Sequence, residues 1–238
     1  MNGSQKGKVV IMRNINTLAG LIKSLQATVQ RHELTTVVIS NASEKLASIG
    51  YKEYDIKKFP KLRNTSSFVG SIGSSPSNLS EALLWKLGRW SAYESFVKNF
   101  NTAALKVSSS GGVVFSAFAK HLQDNSNPIY DQHAIRALWA ICEFNEDHKM
   151  KCEALLFNSL HMWKDAGSGD DGSCYEIFVS HVNAICNDCG VSNEELDRLL
   201  MPLGQAIKKV TRVKGDNKSA ETDLDRFRAL CWPRDTHH

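Results

Sequence analysis

In the stretch Pro128-Ile129-Tyr130-Asp131-Gln132-His133, a carboxylate stands three residues after a proline and directly ahead of an apolar run that begins at Ala134. Proline stops any preceding helix and Asp is a favoured N-cap, so Asp131 belongs at a helix start. The positive end of the helix dipole favours the ionised form of such a carboxylate. Held there, it can stabilise a cation developing beside it, orient a water, or serve only as a cap. Upstream, Ser108-Ser109-Ser110-Gly111-Gly112 leads into a second apolar run, Val113 to Gln123. Two glycines that tolerate positive φ, followed by the free N–H groups of a helix start, make an anion site. Lys106 and Lys120 lie on either side of that turn.

Two further clusters carry chemistry. Trp85-Lys86-Leu87-Gly88-Arg89-Trp90 puts two indoles and two cations within six residues. Such a set can stack on a base and contact phosphate, and it equally suits a Trp-rich helix packed in a core. Cys186-Asn187-Asp188-Cys189, with Cys174 and His181 nearby, has metal-like spacing. A second Cys-x-x-Cys is missing, so reduced thiols on an amphipathic helix are the plainer reading and no metal is expected.

The elements that must position these residues read as helices. Leu18, Leu21, Ile22, Leu25 and Val29 fall at helical spacing from Asn16 to about Arg31, while Val9–Met12 fits a short strand or a helix start and residues 1–8 are expected to fray. Thr35–Ser40, TTVVIS, has strand propensity but no partner, which leans it to helix or irregular structure. Tyr51–Arg63 is a basic, aromatic-bearing segment, and 64–78 is linker-like. Asn78 and Glu81 form a capping-box pattern for a helix expected to run to about Asn101 with Leu83, Leu84, Leu87, Trp90, Tyr93, Phe96, Val97 and Phe100 apolar. The Val113–Gln123 helix should bury Val114, Phe115, Phe118, Ala119 and Leu122. Helices are expected over Glu146–Lys164, with Met150 available for burial, over Tyr175–Cys189, and from the Ser192/Glu195 capping box onward, where Pro202 and Gly204 permit a bend. That last helix ends in Lys208, Lys209, Arg212 and Lys214, cations that complement the dipole or would contact DNA. Thr222–Cys231 reads as a short final helix. The chain is therefore all-α, without βαβ alternation.

With 29 Lys+Arg against 25 Asp+Glu the net charge is +4, which permits nucleic-acid binding through a local patch without requiring it. No 18-residue apolar run and no leader-like N-terminus are present, so a cytoplasmic protein without membrane contact is expected.

A Gly-rich turn, an apolar helix, an Asn/Pro loop and Pro-aliphatic-x-Asp-x-His, over residues 106–142, together resemble the core of the helix-hairpin-helix DNA glycosylases, on the branch similar to 8-oxoguanine glycosylases. The usual Leu-Pro-Gly-x-Gly hairpin is here Ser-Ser-Ser-Gly-Gly, and Asp131 follows Gly111 by 20 residues. The resemblance implies two helical lobes with a cleft, 1–78 and 79–238, and Asp131 as the catalytic carboxylate. It further implies that Ser110, Gly111, Gly112 and His133 hold the DNA backbone, with Trp85, Lys86, Trp90, Lys106, Lys120 and Tyr130 as candidate pocket or DNA contacts. Where bifunctional members carry a lysine nucleophile, this chain has Val113 and Val114, which form no Schiff base. The implied activity is a monofunctional, cofactor-free, monomeric glycosylase on double-stranded DNA that leaves an abasic site. Its substrate is an oxidised purine or, as in similar anti-phage enzymes, a modified cytosine such as glucosylated hydroxymethylcytosine. The alternative is a non-catalytic helical DNA- or protein-binding module in which Asp131 only caps.

Overall fold

The computed structural model describes residues 3–51, 79–101, 113–124, 126–157, 174–213 and 221–233. These residues form ten α-helices and no strand: α1 (Gly3–Gln30), α2 (Thr36–Ser48), α3 (Leu79–Lys86), α4 (Trp90–Asn101), α5 (Val113–Gln123), α6 (Gln132–Ile141), α7 (Glu146–Phe157), α8 (Cys174–Cys189), α9 (Asn193–Thr211) and α10 (Asp223–Cys231). The all-α expectation holds across them.

The centre of the fold is α6. Every residue from Ala134 to Ile141 is buried, including Arg136, so this short helix is covered on all sides. Its most extensive partner is α9, whose Leu196, Leu199, Leu200, Leu203, Ala206 and Ile207 are buried at helical spacing. A single apolar core joins these two helices to α1, α2, α7, α8 and α10. At its middle Trp139 meets Phe227 at 4.8 Å between ring centroids, Phe157 at 6.2 Å and Phe144 at 6.4 Å. Helices α1 and α2 thus share the core of the later helices. A second, smaller cluster forms where Phe96 of α4 and Phe118 of α5 cover Ala119 and Leu122.

Several local expectations change in the folded chain. The first helix begins at Gly3 and absorbs Val9–Met12, because no Pro interrupts it and each added residue gains a hydrogen bond that outweighs the modest cost of Gly7. The β-branched TTVVIS becomes the start of α2. Thr35 caps it by accepting the Val38 N–H at 3.3 Å, and Ile39, Ala42, Ser43 and Leu46 form a buried stripe at i, i+3, i+4 and i+7. Burial outweighs a propensity difference of a few tenths of a kcal/mol per residue.

The helix expected to run from Asn78 to Asn101 is instead two. Gly88 adopts φ +67° and ends α3, with Gly88 N–H bonding to Trp85 O at 3.0 Å and Arg89 N–H to Leu84 O at 2.8 Å. These are the paired bonds of a Schellman ending, which needs a left-handed residue after the last turn. Leu83 and Leu87, expected to be buried, are 58 % and 61 % exposed. On α5 the buried face is rotated from expectation, with Val113, Ser116, Ala117, Ala119, His121 and Leu122 inside and Phe115 outside. Met150 of α7 also faces solvent. Helix α9 runs through Pro202 without ending, since the buried apolar stripe on both sides of it offsets the lost bond. The Ser192/Glu195 capping box is present, and Glu195 also accepts the Thr36 hydroxyl at 2.6 Å, tying α9 to α2. Thr222 and Asp225 form a second capping box on α10. The basic segment and linker expected over 52–78 lie outside the described residues, as do 158–164 of the expected α7 extension.

Three half- or fully buried histidines, His121, His133 and His181, have pKa values lowered below 6.5, in each case chiefly by burial. The folded state therefore binds their protons more weakly than the unfolded chain, and their contribution to stability is complete above pH 6.5 and lost as pH falls below it. Buried Asp197 acts with the opposite sign, because its raised pKa makes the folded state the better proton acceptor. The melting temperature should fall from pH 7 to pH 5, and fall further in Asp197→Asn, which lacks the opposing proton uptake. Equal acid sensitivity of the two proteins in a calorimetric pH series would contradict this account.

Candidate functional site

The loop that delivers Asp131 is held from both sides. Asp124 accepts the Ser126 N–H at 3.0 Å, and the Asn127 N–H bonds to the Asp124 carbonyl at 3.0 Å. The Asn127 carbonyl accepts from the His121 ring at 2.7 Å, which places a proton on Nδ1 of that fully buried imidazole. From α9, Asn193 donates to the Ser126 carbonyl, and Asp197 accepts the Ile129 N–H at 3.1 Å. Pro128, Ile129 and Tyr130 are buried behind these bonds. Five residues before the carboxylate are thus fixed by groups on α5 and α9.

Asp131 itself is extended, at φ −154° and ψ −179°. Its Oδ1 accepts both the His133 N–H at 2.7 Å and the Ala134 N–H at 2.8 Å. Its Oδ2 has no hydrogen-bond partner among the described residues, and the side chain is half-buried. One oxygen anchors the carboxylate and the other is available.

Around it stand cations from two helices. Arg136, one turn into α6, points back toward the helix start, as long helical side chains do. It donates from Nη1 to the Gln132 carbonyl at 3.0 Å, lies 5.6 Å from the Phe157 ring centroid, and leaves a buried Nε without a partner. Burial pulls its pKa down to about 10, with Asp131 and then Asp223 opposing, so it stays charged at neutral pH. Lys208 of α9 donates to Gln132 Oε1 at 2.7 Å. Its pKa is lowered by burial and then by Arg136 and Arg212. The Nδ1 of His133 is buried without a partner, and burial lowers the pKa of its ring, opposed by the charge of Asp131 and aided by Lys208 and Arg136.

Asp197 lies beneath the loop. It is almost wholly buried, and burial raises its pKa well above the usual carboxylate range while the Ile129 N–H opposes.

Of the residues singled out in the sequence, the fold brings Asp131 and His133 together. Tyr130 is fully buried, edge-on to Tyr175 at 5.3 Å and against Phe178 at 5.3 Å, and so packs the core instead of lining an open pocket. Trp85 is 59 % exposed, Lys86 is exposed, and Trp90 is half-buried against Tyr93. They lie on α3 and α4, whose extensive contacts are with each other and with α5. Lys120 is half-buried on α5. Ser110, Gly111, Gly112 and Lys106 lie outside the described residues. Searches against known protein families, characterised proteins and solved structures find no match to this chain.

The cysteine cluster does not assemble as ligands. Among the described residues no three His, Cys, Asp or Glu side chains converge as a metal would require. Cys186 bonds Asn193 through Sγ at 3.1 Å, and burial pushes its thiol up to about 11. His181 instead stacks on Phe144 and meets His148 at 3.3 Å.

Sequence reasoning missed Arg136, Lys208 and Asp197 as members of the Asp131 site. Asp197 left one signal: it shares the 193/197/200/204 stripe of α9 with Leu200 and Gly204, a buried face. Gly204 matters more than any of them for geometry. A Cβ added there would overlap the His133 carbonyl and come within 2.8 Å of His133 Cα, backbone that cannot move without moving Asp131. At Gly20 of α1 the same Cβ would meet nothing within 4 Å. Gly204→Ala should therefore cost about 1–3 kcal/mol in denaturant melts, whereas Gly20→Ala should gain about 0.4–1 kcal/mol. Equal effects at the two positions would sink the close-approach argument.

Proposed function

We propose that the chain is a monofunctional DNA glycosylase, hydrolysing the N-glycosidic bond of a modified base flipped out of double-stranded DNA. The observation that carries this reading is the division of labour within Asp131, with Oδ1 fixed by two main-chain N–H groups and Oδ2 unpartnered on a half-buried side chain. Loss of the base builds positive charge on the sugar, and an anionic oxygen held in place beforehand stabilises it without reorganising. Water then adds to the anomeric carbon, its proton leaves through Asp131 or solvent, and the departing base is protonated. Arg136, Lys208 and Arg212 supply the positive field that a phosphodiester approaching a carboxylate requires. Val113 and Val114, where bifunctional relatives would hold a lysine, support hydrolysis over lyase chemistry. The proposed substrate is an oxidised purine or a modified cytosine such as glucosylated hydroxymethylcytosine.

A second reading rests on a different observation. Leu79, Leu83, Trp85 and Leu87 leave α3 with an exposed apolar surface, as a non-catalytic binding module would, and both Asp131 bonds are those of an ordinary cap.

The two separate in one assay. Purified protein is incubated with duplexes carrying 8-oxoguanine, uracil, hydroxymethylcytosine or glucosylated hydroxymethylcytosine, and half of each reaction is treated with alkali before electrophoresis. Alkali-dependent cleavage of one duplex is expected, and Asp131→Asn should abolish it. Asn caps helices about as well as Asp, so the variant's stability should stay within about 1 kcal/mol. DNA binding without cleavage of any duplex would favour the module, and full activity in Asp131→Asn would exclude the catalytic role.

A further inference from the structure

The opposite end of α6 opens onto a cavity of about 820 Å³ between α7 and α10. Trp139 lies roughly 12 Å along the helix axis from Asp131, so this is a separate place in the fold. Its volume is within the range of small-molecule sites, about 300–1,000 Å³. We propose that it binds a small organic cation, an ammonium group carried on an apolar frame.

Three features converge on that class. The first is an aromatic and thioether wall. Trp232 donates from Nε1 to the Trp139 carbonyl at 3.1 Å, which fixes its half-exposed ring at the cavity, and Met150 of α7 is 63 % exposed beside it. Rings fixed in advance are what cation–π recognition uses, and an exposed methionine on a surface helix is a soft contact for an apolar frame. The second is charge. Glu143, Glu146, Glu153 and Asp225 line the cavity against two cations, Lys149 and Arg228. Both cations are already committed, Lys149 to Glu146 at 2.8 Å and Arg228 to Glu153 at 2.7 Å. An anion entering the cavity would have to break one of those pairs, whereas a cation meets Glu143, which is exposed and makes no ion pair among the described residues. The third is the backbone. The cavity sits at the C-terminal end of α6, where the helix dipole presents its negative pole and favours a positive charge.

A net-acidic lining favours an amine over nucleic acid here, in contrast to the cation-ringed start of the same helix.

Benzyltrimethylammonium and benzoate present the same ring with opposite charge and serve as probes. Titration of the full chain, followed by tryptophan fluorescence and by calorimetry, should give saturable binding of the cation and none of the anion. Glu143→Lys is an exposed change that leaves the core untouched, and it should weaken the cation about tenfold, as should Trp232→Leu. Thermal melts establish that each variant is folded, and Glu143→Lys alone decides the matter if Trp232→Leu is not. Equal binding of both probes, no binding of either at millimolar concentration, or undiminished binding to Glu143→Lys would each overturn the proposal.

Discussion

The geometry of this protein depends on how closely α6 can approach α9. At Gly204 the two helices meet with no side chain between them, and the backbone of His133 occupies the space a Cβ would need. Helices usually pack about 8–10 Å apart, and small residues at the crossing set the lower limit. Here the crossing falls two residues into α6, next to the cap. The position of Asp131 is consequently set by main-chain contact, the least compliant kind, and reinforced by Asp197 and Asn193 of α9, which hold the incoming loop. A carboxylate placed this way has its orientation decided when the core forms.

That arrangement has costs elsewhere. Arg136 is almost wholly buried with an unpaired Nε, and Asp197 is buried with the Ile129 N–H as its one hydrogen-bond partner among the described residues. Burying charges without full compensation is expensive, and cores generally avoid it. Asp197 escapes most of the cost by favouring its neutral form, which its raised pKa expresses. Arg136 cannot do the same. With a pKa of about 10 it remains a cation, and what compensates it is the Gln132 carbonyl, the Phe157 ring and the charges of Asp131 and Asp223. Structural economy alone would have placed leucine at both positions. Local rules are most often broken where a site must be built, and these two breaks flank the same carboxylate.

The sequence made the local part of this legible. Pro128 followed by Asp131 and an apolar run announces a capped helix, and the Ser192/Glu195 pattern announces the start of α9; both are decided within four residues of chain. The Thr35–Ser40 segment was ambiguous because its β-branched residues favour a strand while no neighbouring segment offers a partner, and packing of α2 against α9 settles it as helix. The break at Gly88 was hidden inside a good apolar pattern, since a Schellman ending needs one residue at positive φ and leaves the hydrophobic spacing on either side intact. Phe115 shows the limit of periodicity: it fits the stripe, but the partners of α5 select a face rotated by about one residue. The ring of groups around Asp131 was not legible at all. Asp197 meets Ile129 across 68 residues and Lys208 meets Gln132 across 76, and no local pattern encodes a partner at that separation.

The two ends of α6 differ in a way that follows from the helix being buried from Ala134 to its C-terminal end. A helix covered over most of its length screens its dipole poorly with solvent, so each terminus is matched chiefly by what packs around it. At the N-terminus Asp131 supplies the matching anion, and the cations from α6 and α9 then balance Asp131. At the C-terminus the last carbonyls are met by neutral donors, Gln26 Nε2 to the Ala140 carbonyl at 2.8 Å and Trp232 Nε1 to the Trp139 carbonyl at 3.1 Å. Neutral donors satisfy the hydrogen bonds but leave the negative pole uncompensated, and the adjoining surface adds Glu143 to it. The same helix therefore holds a compensated carboxylate at one end and an uncompensated negative field at the other.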